Sequence, residues 1–131
     1  MAGDPAHRAL ALRDAPTVTA PDGSTVRVLL GTDRGSVAQF ELKAGRTSLA
    51  VRHRTVEEIW TVVAGRGEMW RGSPAGESVV ALEPGLCLVI PAGTSFQFRS
   101  DGPGALVVVA VTMPPWPGSD EADPVEGCPG W

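Results

Sequence analysis

Residues 45–65 read GRTSLAVRHRTVEEIWTVVAG, and this stretch decides what kind of fold the chain can make. In it, Val51 and His53 alternate with Arg52 and Arg54, the period of two expected of a strand with one buried and one wet face. The alternation sends His53 to the apolar side with Val51 and turns the two arginines towards solvent or a partner chain. Further on, Glu58 shares parity with Trp60, so a carboxyl is aimed at the same interior as an indole. Its neighbour Glu57 reads as a solvated residue at a turn.

Outward from this stretch the same rhythm continues. Turn signals recur as PDG at residues 21–23, DRG at 33–35, KAG at 43–45, GRG at 65–67, SPAG at 73–76, EPG at 83–85, PAG at 91–93 and DGPG at 101–104. Between them lie TVRVLL, SVAQFEL, IWTVVA, ESVVAL, LCLVI, SFQFRS and ALVVVAVTM, rich in β-branched and aromatic residues. In SFQFRS, Phe96 and Phe98 share one face while Gln97 and Arg99 share the other. Glu68, Met69 and Trp70 read as an ordinary strand. With 16 glycines and 12 prolines in 131 residues, short strands joined by tight turns are favoured over long helices. The expected fold is all-β, one domain over residues 17–113, with an N-terminal arm at 1–16 and a Pro/Gly-rich tail at 114–131. The tail carries too many prolines for a helix or a central strand, and its Trp116, caged by prolines, is a candidate to close the mouth of the fold or to pack on a second subunit, with structural packing the expected role.

A net charge of −4 argues against a nucleic-acid partner, which calls for a basic stripe. Charges and a proline break up the N-terminal region where an export signal would need an apolar core, and no apolar run reaches the ~18–20 residues that cross a bilayer. The expectation is a cytoplasmic protein with no membrane partner. Two cysteines make no disulfide framework; Cys87, inside LCLVI, reads as a small buried hydrophobe, and both thiols are expected to be reduced.

The spacing Gly45, Val51, His53, Glu58, Gly65 resembles the first motif of the cupin family, and Gly85, Pro91, Gly93, Phe96 resembles the second. The resemblance, covering roughly residues 25–112, implies a small antiparallel jelly-roll barrel, commonly a homodimer. In that family the metal is held by two histidines and a glutamate of the first motif and a histidine of the second. Here those positions are Val51, His53, Glu58 and Phe96, and Ser100 stands in place of the second motif's asparagine. Half of the ligand set is missing, so neither metal nor other cofactor is expected.

His53 is the one histidine of the domain, the other being His7 in the arm. His53 and Glu58 are therefore the candidate catalytic residues: histidine to move a proton, glutamate to pair with it, fix its tautomer and favour the imidazolium. Val51, Trp60, Phe96 and Phe98 are the candidate substrate-binding walls. The expected function is a metal-free isomerase, epimerase, dehydratase or cyclase acting on a small carbonyl-containing metabolite. Three readings stand beside it: a relic of a metal site kept for packing, a non-catalytic small-molecule binding or sensing module, and a metal-dependent oxygenase or isomerase with an atypical ligand set.

Overall fold

The structure, a computed structural model, describes residues 6–131. Alternating β-prone runs resolve into strands β1 (Thr17–Thr19), β2 (Thr25–Gly31), β3 (Ser36–Leu42), β4 (Val51–His53), β5 (Glu57–Ala64), β6 (Gly67–Ser73), β7 (Gly76–Leu82), β8 (Cys87–Ile90), β9 (Ser95–Ser100), β10 (Leu106–Met113) and β11 (Ala122–Pro124). Two short 3-10 turns, Leu12–Asp14 and Ser119–Glu121, are the helical elements among the described residues, none long and apolar enough to cross a membrane.

All pairings are antiparallel, and they form two sheets with the orders β1-β2-β3-β10-β5-β8 and β11-β4-β9-β6-β7. The jelly-roll expectation holds, with one refinement: the strands hydrogen-bond as two open sheets, not as a continuous closed ring. One face of each sheet is turned to a common core. Strand β10 shows the pattern most plainly, with Leu106, Val108, Ala110 and Thr112 buried between half-buried neighbours. Trp60 is the centre of the aromatic packing, its ring centroid 5.5 Å from that of Phe40, 6.2 Å from Phe96 and 5.0 Å from Phe98, each edge-on as ring quadrupoles prefer.

Two residues depart from their sequence reading. Cys87 is exposed, because β8 alternates and sends Leu88 and Ile90 inward and Cys87 and Val89 outward; the apolar run LCLVI concealed that alternation. Gln97 is buried although it points away from the core with Arg99. The tail covers it: the Cys128 N–H donates to Gln97 Oε1 at 2.9 Å, Gln97 Nε2 donates to the Ser48 carbonyl at 3.0 Å, and the Arg99 guanidinium lies 4.2 Å from the Trp131 ring centroid.

The tail does form a strand, at the edge. β11 pairs with β4 through Ala122 and His53, Asp123 and Arg52, Pro124 and Val51, an edge position being the one a proline can occupy. Arg54, expected to face solvent or a partner, is exposed and bonds Asp123 at 2.7 Å.

Gly65 closes the long β5 strand with φ +81°, and a Cβ there would lie 2.3 Å from the Ala105 carbonyl oxygen. Gly93 has φ +80° with open space around it. Gly93→Ala should therefore cost only the left-handed backbone penalty, about 1 kcal/mol, whereas Gly65→Ala should cost about 3 kcal/mol or more because backbone must also move. Denaturant unfolding of the two variants measures the difference.

Candidate active-site cavity

Where β4, the start of β5, the start of β9 and the end of β10 meet, the core gives way to a cavity of about 400 Å³. The β1–β2 hairpin and β3 form one side, and Trp116, Ser119 and Ala122 from the tail form another. Both candidate catalytic residues reach it. Of the candidate walls, Val51 and Phe96, cross-strand partners, line it. Trp60 and Phe98 stand behind that wall in the core, at 0% and 1% exposure.

Glu58 has no exposed surface. Its Oε2 accepts a hydrogen bond from Trp60 Nε1 at 2.8 Å, and its Oε1 is buried without a partner. Burial pushes the carboxyl up to about 7, with the Trp60 bond opposing and the charge of Asp22 adding to the rise. At neutral pH Glu58 is thus divided between acid and carboxylate, the condition under which a group can both give and take a proton.

His53 is 5% exposed and its Nδ1 is buried without a partner. Its ring lies edge-on to Phe96 at 5.1 Å and to Trp116 at 5.0 Å. Burial lowers its pKa to about 4, opposed by the charge of Glu121. The imidazole is therefore neutral at pH 7, not the imidazolium expected from a His–Glu pair. That pair does not form either: the Glu58 oxygen that has a partner is taken by Trp60, and the carboxylate whose charge acts on His53 is Glu121.

Two residues of this region went unnoticed in the sequence. Asp22, which read as the middle of a turn, is 6% exposed and lines the cavity. Its Oδ1 accepts from the Ser24 N–H at 2.9 Å and the Ser24 hydroxyl at 2.6 Å. Burial raises its pKa against those bonds. The signal was the spacing Asp-x-Ser, which makes such a local bond but does not tell burial. Glu121 was hidden in the acidic tail. It accepts from both backbone N–H groups of Thr55 and Val56, the latter at 2.6 Å, and from the Thr55 hydroxyl at 2.9 Å. Burial alone would raise its pKa, but these bonds outweigh it and hold the carboxyl below its ordinary value. Glu121 thereby ties the tail across the β4–β5 connection, and the Trp116 N–H ties it to the Ser36 hydroxyl at 3.0 Å.

The donor set does not fit the metal of the resemblance. Val51 and Phe96 put hydrocarbon where two imidazoles would be, His53 is edge-on to Phe96, and no group of three or more His, Cys, Asp or Glu side chains that could hold an ion occurs among the described residues.

The fold has known counterparts. The chain resembles a protein with a double-stranded β-helix domain from Klebsiella pneumoniae (TM-score 0.68, 20% identity, 87% of this chain and 90% of that one). It also resembles Pac13 of Streptomyces, a nucleoside dehydratase also solved with uridine (TM-score 0.73, 12% identity, 91% of each chain). A third likeness is to a predicted oxalate decarboxylase from Thermotoga maritima (TM-score 0.67, 16% identity, 81% of this chain and 98% of that one). At these identities the likeness shows the fold. No curated protein matches the sequence. The cupin-domain family model matches residues 38–112, a span that contains both glycine-bounded motifs and Glu58, and the chain therefore belongs to the cupin family.

Proposed function

We propose that this cupin is a metal-free acid/base enzyme that moves a proton on a small carbonyl-containing molecule, with Glu58 as the proton carrier. The observation that supports this most directly is Glu58 itself: a carboxyl with no exposed surface, shifted to about 7, with one oxygen unpartnered at a cavity large enough for a metabolite. In this reading the carboxylate takes a proton from the carbon beside the carbonyl. The electron pair moves into the carbonyl, and the neutral His53 donates its N–H to the resulting enolate oxygen. Protonated Glu58 then returns the proton to another atom, giving isomerisation, to the opposite face of the same carbon once the enolate has turned in the cavity, giving epimerisation, or to a departing hydroxyl, giving dehydration. One of the structural neighbours is a nucleoside dehydratase, and dehydration is one of these outcomes. Relative to the sequence reading the two roles are exchanged, because burial makes the imidazole a poor proton carrier at pH 7 and the carboxyl a good one.

Turnover is expected to rise with pH through about 7 as Glu58 ionises. Glu58→Gln should lose ~10²–10⁴ in kcat/KM together with that rise, whereas His53→Gln, which keeps a neutral donor, should lose about tenfold. A larger loss for His53→Gln would make the imidazole the carrier. A molecule bound and returned unchanged would favour the non-catalytic binding module.

Stability gives a second measurement. The folded state favours protonated Glu58, so this contribution is full below the ordinary value of 4.5 and is lost as pH rises towards about 7. For His53 the sign is opposite: stability from the neutral ring is full above 6.5 and is lost as pH falls towards about 4. Glu58→Gln, whose amide oxygen can still accept from Trp60, should therefore be more stable than the native protein at pH 8 by about 1–3 kcal/mol, with no gain at pH 4. Thermal unfolding at both pH values tests this.

The third expectation concerns metal. Elemental analysis of the purified protein should find less than stoichiometric transition metal; one equivalent, lost in His53→Ala, would favour the metal-dependent oxygenase or isomerase. The homodimer stays part of the proposal. Its motivation is the apolar surface row of Val89, Ile59 and Val111, adjacent in register on the outer face of the six-stranded sheet, and sedimentation at micromolar concentration distinguishes it from a monomer.

A further inference from the structure

We propose that Asp22 is a second ligand-contacting carboxyl of this cavity, and that with Glu58 it selects an uncharged, hydroxyl-bearing molecule over a phosphorylated or carboxylated one. The inference deepens the reading above and rests on it for the identity of the pocket.

Among the described residues, the titratable side chains lining the cavity are Asp22, His53 and Glu58, and no lysine or arginine lines it. Arg27 and Arg52, on strands that line the cavity, are not among its lining residues. Arg54 is taken by Asp123, and Arg8 donates to the Gly31 carbonyl and faces a separate depression. An anion entering would lose its water, meet two carboxyls and find no countercharge, a penalty of several kcal/mol on general grounds. A hydroxyl group has the opposite fit. Carboxyl oxygens accept from it, and the cavity already holds two polar atoms that lack partners, Glu58 Oε1 and His53 Nδ1, in residues 0% and 5% exposed. Apolar and aromatic walls from Val26, Phe40, Phe96 and Trp116 would cover the rest of a small ring.

Asp22 is built to take part. Ser24 grips Oδ1 through both its N–H and its hydroxyl, which fixes the carboxyl's orientation, and the backbone on either side is pinned, with the Leu49 N–H on the Asp22 carbonyl at 2.8 Å and the Gly23 N–H on the Ala20 carbonyl at 2.9 Å. The carboxyl is also near enough to Glu58 for its charge to act there. A carboxyl needed only to shape the turn could stay in water, as most turn aspartates do.

Ligand-observed NMR with the native protein tests the class, using matched probes: uridine against uridine 5′-monophosphate, and cyclohexane-1,2-diol against cyclohexanecarboxylic acid and cyclohexylamine. The uncharged member of each set should bind at least about tenfold more tightly than its anionic counterpart. Equal or tighter binding of the anions overturns the proposal, as does preference for the amine or the absence of binding by every uncharged probe. Asp22→Asn should weaken uridine about tenfold and leave 2′,3′-dideoxyuridine unchanged; equal effects on both remove Asp22 from the contact. A ligand-free readout accompanies this: the Glu58 carboxyl carbon should titrate at lower pH in Asp22→Asn than in the native protein, and an unchanged midpoint overturns the proximity of the two groups. Binding requires no turnover. Uncharged hydroxyl- and carbonyl-bearing molecules that bind and are never converted would defeat the enzymatic reading and leave the ligand class standing, while an anionic substrate that is converted would do the reverse.

Discussion

One carboxyl with no access to water sets the terms for the rest of this molecule. Glu58 sits at the boundary between a packed aromatic core and an open cavity, and the core supplies it with a single hydrogen bond, from the Trp60 indole. That bond fixes the orientation of one oxygen without neutralising the group, and so leaves the proton in balance. A lysine or arginine in reach would have drawn the carboxyl into a permanent ion pair. A second donor on the free oxygen would have lowered its pKa. Neither is present among the described residues, and the aromatic packing around Trp60 is what holds the indole where it must be.

The walls that keep His53 neutral are the same ones that shape the cavity. Phe96 occupies a position where the family's metal site has a ligand, and its ring edge against the imidazole removes water from one side. Trp116 does so from another, and it belongs to a tail anchored by a carboxylate of quite different character. Glu121 is saturated with donors from Thr55 and Val56 and stays charged. Two buried glutamates in one small protein thus have opposite electrostatics: Glu121, rich in hydrogen bonds, holds structure, and Glu58, poor in them, is the proton carrier we propose.

Much of this was legible from residue spacing. The resemblance of the two glycine-bounded motifs to the cupin pattern implied the jelly roll, and period-two parity placed Val51, His53, Glu58 and Phe96 towards one interior, because in a strand parity is a geometric necessity. Parity does not say how far along the strand a side chain sits, so it grouped Trp60 and Phe98 with the cavity although they belong to the core behind it. It also cannot tell which neighbour a buried polar group will choose. Glu58 found the indole two residues away on its own strand face, and the imidazole was left without the carboxyl. Where a strand read as uniformly apolar, as in LCLVI, the alternation was masked and Cys87 was placed on the wrong side. Trp116 was legible as a candidate to close the mouth, but that Asp22 also lines the cavity and that Glu121 anchors the tail to Thr55 and Val56 depend on contacts distant in sequence, of which local patterns carry no record.

The tail's attachment has a consequence for how the molecule assembles. The Ser36 hydroxyl and the Trp116 N–H are joined across 80 positions of sequence, and the β1–β2 hairpin that carries Asp22 faces tail residues across the same cavity. Hairpins such as β6–β7 need only short chain closures, whereas the cavity gathers walls from both far regions of the described chain, with the large closure entropy that such contacts carry. The core makes the same demand, since β3 must pair with β10 and bring Ser36 to Thr112 across 76 positions, so a form that has only its local hairpins has neither the packed aromatic core nor the cavity beside it.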